Sequence, residues 1–75
     1  MRITVEAGKW ALHYIKEESV SLDVPERFTV DDVLKTLGFP PEETGVAVID
    51  GYAAPKGYRL SEGDVIKVYP AIIGG

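Results

Sequence analysis

The chain has 75 residues, a formal net charge of −4, 45% hydrophobic and 27% charged residues, and no cysteine. That length predicts one domain, spanning residues 1–75, with a small core. Without cysteine there is no disulfide framework, thiol nucleophile or thiolate metal site, which fits a cytoplasmic setting. No apolar run is long enough to span a bilayer, and the acidic balance points away from nucleic acid and toward a basic protein surface.

Met1 is followed at once by a strand-like segment, so no leader peptide is expected. Arg2-Ile3-Thr4-Val5-Glu6 alternates and predicts a first strand with Ile3 and Val5 inward. Gly8 ends it. In Lys9 to Ile15 the pairs Trp10/Tyr14 and Ala11/Ile15 have helical spacing, while Trp10, Leu12 and Tyr14 would share one face of a hairpin arm. A short helix or helical turn is the preferred reading. Glu17-Glu18 reads as a solvated connection. Ser19 to Val24 alternates again, with Val20, Leu22 and Val24 inward, until Pro25 stops it.

The next segment has the signals of a helix. Thr29 fits the N-cap, with Asp32 three residues on as a short-armed capping box. Phe28 and Val33 occupy the staple positions. Val30, Val33, Leu34 and Leu37 make one apolar stripe. Asp31 and Asp32 sit where the helix dipole favours negative charge. Gly38 and then Pro40-Pro41 end the run. The carboxylates are read as caps and solvating groups, not as catalysts.

Val46-Ala47-Val48-Ile49 is β-prone and closes on Asp50-Gly51, a hairpin dipeptide. Tyr52 to Pro55 returns as a brief edge strand, since proline suits an edge. Lys56 to Arg59 is a loop, Leu60 a core plug, and Ser61 to Asp64 a turn. Val65 to Tyr69 is the last strand, with Ile66 and Val68 facing the helix and Val65, Lys67 and Tyr69 on the other face. The expected core is Ile3, Val5, Val20, Leu22, Val30, Val33, Leu34, Leu37, Val48, Leu60, Ile66 and Val68.

One amphipathic helix on one face of a mixed sheet of four to five strands is an α+β architecture. The first two strands pair as a hairpin, and the last must lie beside the first for the core to close. That arrangement is the β-grasp, or ubiquitin-like, fold.

The end of the sequence carries the functional signal. The final strand leads into Ala71-Ile72-Ile73-Gly74-Gly75, read as a flexible tail from about residue 71. Two isoleucines in such a place are costly to leave in water unless a partner covers them. Gly74 and Gly75 have no Cβ, so their backbone fits a channel that a side chain would block. Docking is assigned to Tyr69, Pro70, Ile72 and Ile73. Other candidates are set aside. His13 has no partner at metal-ligand spacing, so no metal site is expected. Ser19, Ser21 and Ser61 have no nearby base. Gly57, Gly63, Gly74 and Gly75 form no phosphate-binding pattern. Lys56, Arg59 and Lys67 read as solubilising charges.

The chain resembles the ubiquitin-like sulfur carriers, which include the small subunit of molybdopterin synthase and the thiamine-biosynthesis sulfur carrier. The resemblance rests on Phe28-Thr29-Val30-Asp31-Asp32-Val33-Leu34, Val46-Ala47-Val48-Ile49-Asp50-Gly51, Leu60-Ser61-Glu62-Gly63-Asp64-Val65-Ile66 and Tyr69-Pro70-Ala71-Ile72-Ile73-Gly74-Gly75. Gly8 to Glu18 is longer than the first hairpin of thiamine-type members and closer to the molybdopterin type. Asp50 stands where many members carry asparagine.

The resemblance implies a carrier, not an enzyme. An E1-like adenylyltransferase would use ATP to adenylate the Gly75 carboxylate. A sulfur donor would then replace AMP and leave a thiocarboxylate, which a synthase subunit or other acceptor enzyme consumes. Gly74 would admit the tail to the activating site. No permanently bound cofactor is implied, and molybdopterin or tungstopterin biosynthesis is favoured over thiamine. Two alternatives remain: a protein modifier joined to lysines through Gly75, and an interaction module in which the two glycines are incidental.

Overall fold

Alternation at the N-terminus produces the first antiparallel pair of the computed structural model, which describes residues 1–71. The predicted tail positions Ile72, Ile73, Gly74 and Gly75 lie outside the described residues. Strand β1 (Arg2–Glu6) pairs with β2 (Ser19–Asp23), with Ile3 opposite Leu22 and Val5 opposite Val20. Ile3 and Val5 are fully buried. Between the two strands, Lys9–His13 forms a 3-10 helix, and Ala11 is its buried residue. The helical reading of this segment therefore holds over the hairpin reading.

Helix α1 (Val30–Leu37) begins as its sequence predicts. Thr29 Oγ1 accepts from the Asp32 N–H at 3.2 Å. The Asp32 carboxylate accepts from the Thr29 N–H and hydroxyl, both at 3.0 Å. These hydrogen bonds, the backbone one foremost, hold the Asp32 carboxyl below the usual carboxylate range. Val30, Val33 and Leu34 are buried against the sheet.

At the far end Gly38 takes a left-handed conformation. The Gly38 N–H donates to Lys35 O, and the Phe39 N–H to Leu34 O at 3.0 Å. This is a Schellman ending, which places an apolar residue just after the glycine against the helix. Phe39 fills that place and is buried. Its ring meets Trp10 at 5.4 Å and Tyr14 at 5.6 Å between centroids, anchoring the 3-10 segment.

Strands β3 (Thr44–Ile49), β4 (Tyr52–Ala54) and β5 (Val65–Pro70) complete a sheet of order β2-β1-β5-β3-β4. Strand β5 runs parallel to β1 and antiparallel to β3. The predicted closure of last strand on first is thus present, and the architecture is the mixed-sheet β-grasp fold. Asp50 and Gly51 both have positive φ, the signature of the two-residue turn that joins β3 to β4.

Four core assignments need correction. Val48 is half-buried on the face away from α1, and Ala47 and Ile49 point inward instead. The run 46–49 is apolar at every position, so it carries no parity signal. Pairing with β5 sets the parity: Ala47 lies opposite Val68, and Val48 opposite Lys67. Val20, Leu22 and Leu37 are half-buried and pack against the core from its margin. Val20 and Leu22 belong to β2, which is an edge strand among the described residues.

Candidate functional site

The sheet has one face under α1 and one face open. In the middle of the open face stands β5, which presents Val65, Lys67 and Tyr69 outward. In-register neighbours extend that surface. Thr4 and Glu6 of β1 lie beside Val65 and Lys67. Val46 lies opposite Tyr69, and Val48 opposite Lys67, across the β3 pairing. The inverted parity of β3 therefore adds two valines to the open face. Tyr69 is 48% exposed, Val46 42% and Val65 39%. Tyr69 and Val46 stand beside the root of the tail, and Val65 lies at the far end of β5 with Lys67 between. Sequence reasoning found Tyr69 and missed Val46 and Val48, because it had turned β3 the other way.

Two hollows flank Tyr69. One, of about 360 Å³, is bounded by Val48, Asp50, Val65 and Lys67. The other, of about 330 Å³, lies toward Glu6, Gly8 and Glu18. A third, of about 240 Å³, sits at the tail root among Trp10, His13, Tyr14, Glu43, Pro70 and Ala71. An aromatic side chain between shallow hollows, with carboxylates at the margin, suits docking against another protein more than turnover of a small molecule.

The tail root is held in place. Pro70 ends β5 opposite Thr44, and the Ala71 N–H donates to Glu43 O at 2.9 Å. Glu43 closes a second 3-10 turn, Pro41–Glu43. Of the predicted site residues, the structure brings Tyr69 and Pro70 together at this point. Ile72, Ile73, Gly74 and Gly75 follow directly and lie outside the described residues.

The remaining polar candidates do not assemble into a catalytic site. His13 is exposed, with its ring 6.3 Å from that of Tyr14. Ser21 shares a 3.0 Å hydrogen bond with Thr4 on the open face. Among the described residues no group of three or more His, Cys, Asp or Glu side chains could hold a metal ion. Lys56 and Arg59 lie in the segment that braces the start of α1, where the Asp31 N–H donates to Lys56 O and Thr29 bridges Arg59. Lys67 is on the open face, apart from them. No helix among the described residues is long and apolar enough to cross a membrane.

Comparison with known proteins agrees with this geometry. The family described as Mut7-C ubiquitin matches residues 5–73. The chain belongs to this ubiquitin-like family. No curated protein matches it. Among solved structures, SAMP1 from Haloferax volcanii is similar over 100% of both chains, at 22% identity and a TM-score of 0.75. A second structure of that small archaeal modifier protein covers 95% of this chain and 98% of its own, at 20% identity and a TM-score of 0.75. A putative molybdopterin converting factor subunit 1 from Pyrococcus furiosus covers the same shares, at 18% identity and a TM-score of 0.77. At these identities the likeness is one of fold. It extends over nearly the whole of each chain, so this chain shares their fold.

Proposed function

We propose that this ubiquitin-like protein is a sulfur carrier whose Gly75 carboxylate is activated and converted to a thiocarboxylate. The observation that carries the reading is the placement of the tail root. The central strand β5 delivers the chain to Ala71 beside the exposed apolar pair Tyr69 and Val46, with glycines three and four residues further on.

A carboxylate is a poor acyl donor, because its oxygen leaves badly and its charge repels nucleophiles. An E1-like adenylyltransferase solves this by attacking ATP with the carboxylate. The α-phosphorus forms the acyl–AMP anhydride and pyrophosphate leaves. The terminal sulfur of a donor persulfide then adds to the carbonyl and expels AMP, giving an acyl disulfide. A second thiol breaks the S–S bond, and the carrier keeps a thiocarboxylate while the donor leaves as a disulfide. The carrier supplies geometry and no acid or base. Gly75 leaves the carbonyl unhindered, Gly74 allows the tail through a narrow channel, and the pair Tyr69 and Val46 with Ile72 and Ile73 supplies anchors. Proton transfer and charge stabilisation fall to the partner.

The sulfur acceptor is a synthase subunit of molybdopterin type, in keeping with the fold shared with a putative molybdopterin converting factor subunit. ATP is consumed by the partner, and the carrier needs no cofactor of its own. The setting is the cytoplasm, where ATP is at hand.

ATP–pyrophosphate exchange with the cognate activating enzyme tests the reading. Wild type supports exchange, whereas deletion of Gly75 abolishes it with the fold intact. The likeness to a small archaeal modifier protein gives the alternative a concrete form, in which a lysine amine takes the acyl group from AMP. Isopeptide adducts in lysate without any thiocarboxylate would favour that alternative.

A further inference from the structure

Gly45 occupies an unusual place. In the β3–β5 register Thr44 lies opposite Pro70 and Val46 opposite Tyr69, so Gly45 is the extra residue of a bulge. Gly45 is exposed, and burial does not exclude a side chain there. The tail root does. A Cβ at this position would lie 2.6 Å from the Pro70 carbonyl oxygen, 3.0 Å from its carbon and 3.2 Å from the Ala71 Cα. All three are backbone atoms, with no rotamer to yield. Ordinary contact begins near 3.4 Å, so the root would have to retreat by most of an ångström. A Cβ at Gly57, by contrast, meets nothing within 4 Å. The second hold on the root is the bond from the Ala71 N–H to Glu43 O, two residues before Gly45.

We propose that Gly45 is a positioning residue for the tail: its missing Cβ lets the Pro70–Ala71 backbone lie flush on the start of β3. That seating fixes the backbone at Ala71, the last described residue before the terminus. The inference rests on the carrier reading and adds to it a residue far from the terminus in sequence. The physical stake is orientation. A displacement of about 1 Å at a reacting group can cost on the order of 100-fold in rate. A tilt at Ala71 is carried along the four residues that end in the reacting carboxylate. The regular β3–β5 ladder resumes at Val46 and Tyr69, so the pair proposed to dock is held by strand pairing beyond the bulge.

The test compares wild type, Gly45→Ala, Gly57→Ala and Ala71→Pro in two measurements. One is ATP–pyrophosphate exchange with the cognate activating enzyme, resolved into kcat and KM for the carrier. The other is hydrogen exchange at single amides. Gly45→Ala should lower kcat on the order of 10–100-fold with KM little changed. Its Ala71 amide should lose protection while those of Ile66 and Val68 keep theirs, a pattern that general destabilisation does not produce. Gly57→Ala should match wild type in both. Should Gly45→Ala not fold, Ala71→Pro decides the matter, because it removes the N–H donated to Glu43 without adding a Cβ at the bulge, and it should lower kcat in the same way. Wild-type kcat in Gly45→Ala, or in Ala71→Pro if that variant has to stand in, overturns the proposal. Absence of exchange in wild type would instead contradict the carrier reading, and Ala71 amide protection would still show whether Gly45 seats the root.

Discussion

Tyr69 and Val46 face each other across the β5–β3 pair, both on the open face and both more than two-fifths exposed. Neither side chain supports the core, so selection for folding alone does not account for an apolar pair in water at the tail root. Tyr69→Ala and Val46→Asp should each weaken binding to the activating enzyme. For Tyr69, the central aromatic, the loss should be about 2 kcal/mol or more, as at interface anchors generally. Isothermal titration reads the affinity, and melting temperature should hardly move. A large fall in melting temperature would place these residues in the core.

The tail isoleucines give a parallel prediction. Ile73→Asp should weaken the same binding and leave stability nearly unchanged, since the carrier reading proposed above assigns Ile73 to docking on a partner. Thermal denaturation that drops sharply for this variant would show that Ile73 packs against its own domain.

Leu34 is buried on the helix stripe and accepts, through its carbonyl, the Phe39 N–H that ends the helix. Leu34→Ala should cost about 2–5 kcal/mol in denaturant unfolding, a large share of the stability of so small a domain. A loss well below 1 kcal/mol would mean that α1 does not close this core.

The capping carboxylate of Asp32 makes stability depend on pH. Its value is lowered in the folded state, chiefly by the Thr29 backbone N–H and then by the Thr29 hydroxyl. A lowered carboxylate contributes stability that is fully present above its unfolded value and is lost as pH falls through the folded one. The stability gap between wild type and Asp32→Asn should therefore be constant at neutral pH and shrink in acid. Denaturant titrations over a pH series check this, and a gap that stays level into acid would contradict it.

Much of the fold was legible because local signals agreed with the global one. The Thr29–Asp32 box, the stripe through Leu34 and the alternation of β1 and β5 each have their own period or cap. What the sequence hid was parity and position in the sheet. Val46 to Ile49 is apolar throughout, so only pairing with β5 decides that Ala47 turns in and Val46 out. Val20 and Leu22 alternate as a buried strand would, yet strand order places them at an edge. Phe39 was overlooked beside prolines, although an apolar residue just after a helix-ending glycine is itself a Schellman signal. At the candidate site, Tyr69 and Pro70 could be picked out by their nearness to the tail. Gly45 could not, because its importance arises only when β3 and β5 meet out of step.

The central claim is that Gly75 carries activated sulfur. Intact-mass measurement after incubation with the cognate activating enzyme, ATP and a persulfide donor tests it most directly. The account predicts a gain equal to the exchange of one oxygen for one sulfur, mapped by fragmentation to Gly75 and absent when ATP is withheld or Gly75 deleted. Deleting Gly75 leaves the carboxylate about 3.3–3.6 Å short along an extended chain, comparable to the whole approach distance of reacting atoms. An unchanged mass with an enzyme that does catalyse ATP–pyrophosphate exchange on this chain, or sulfur found elsewhere in the chain, would contradict the account.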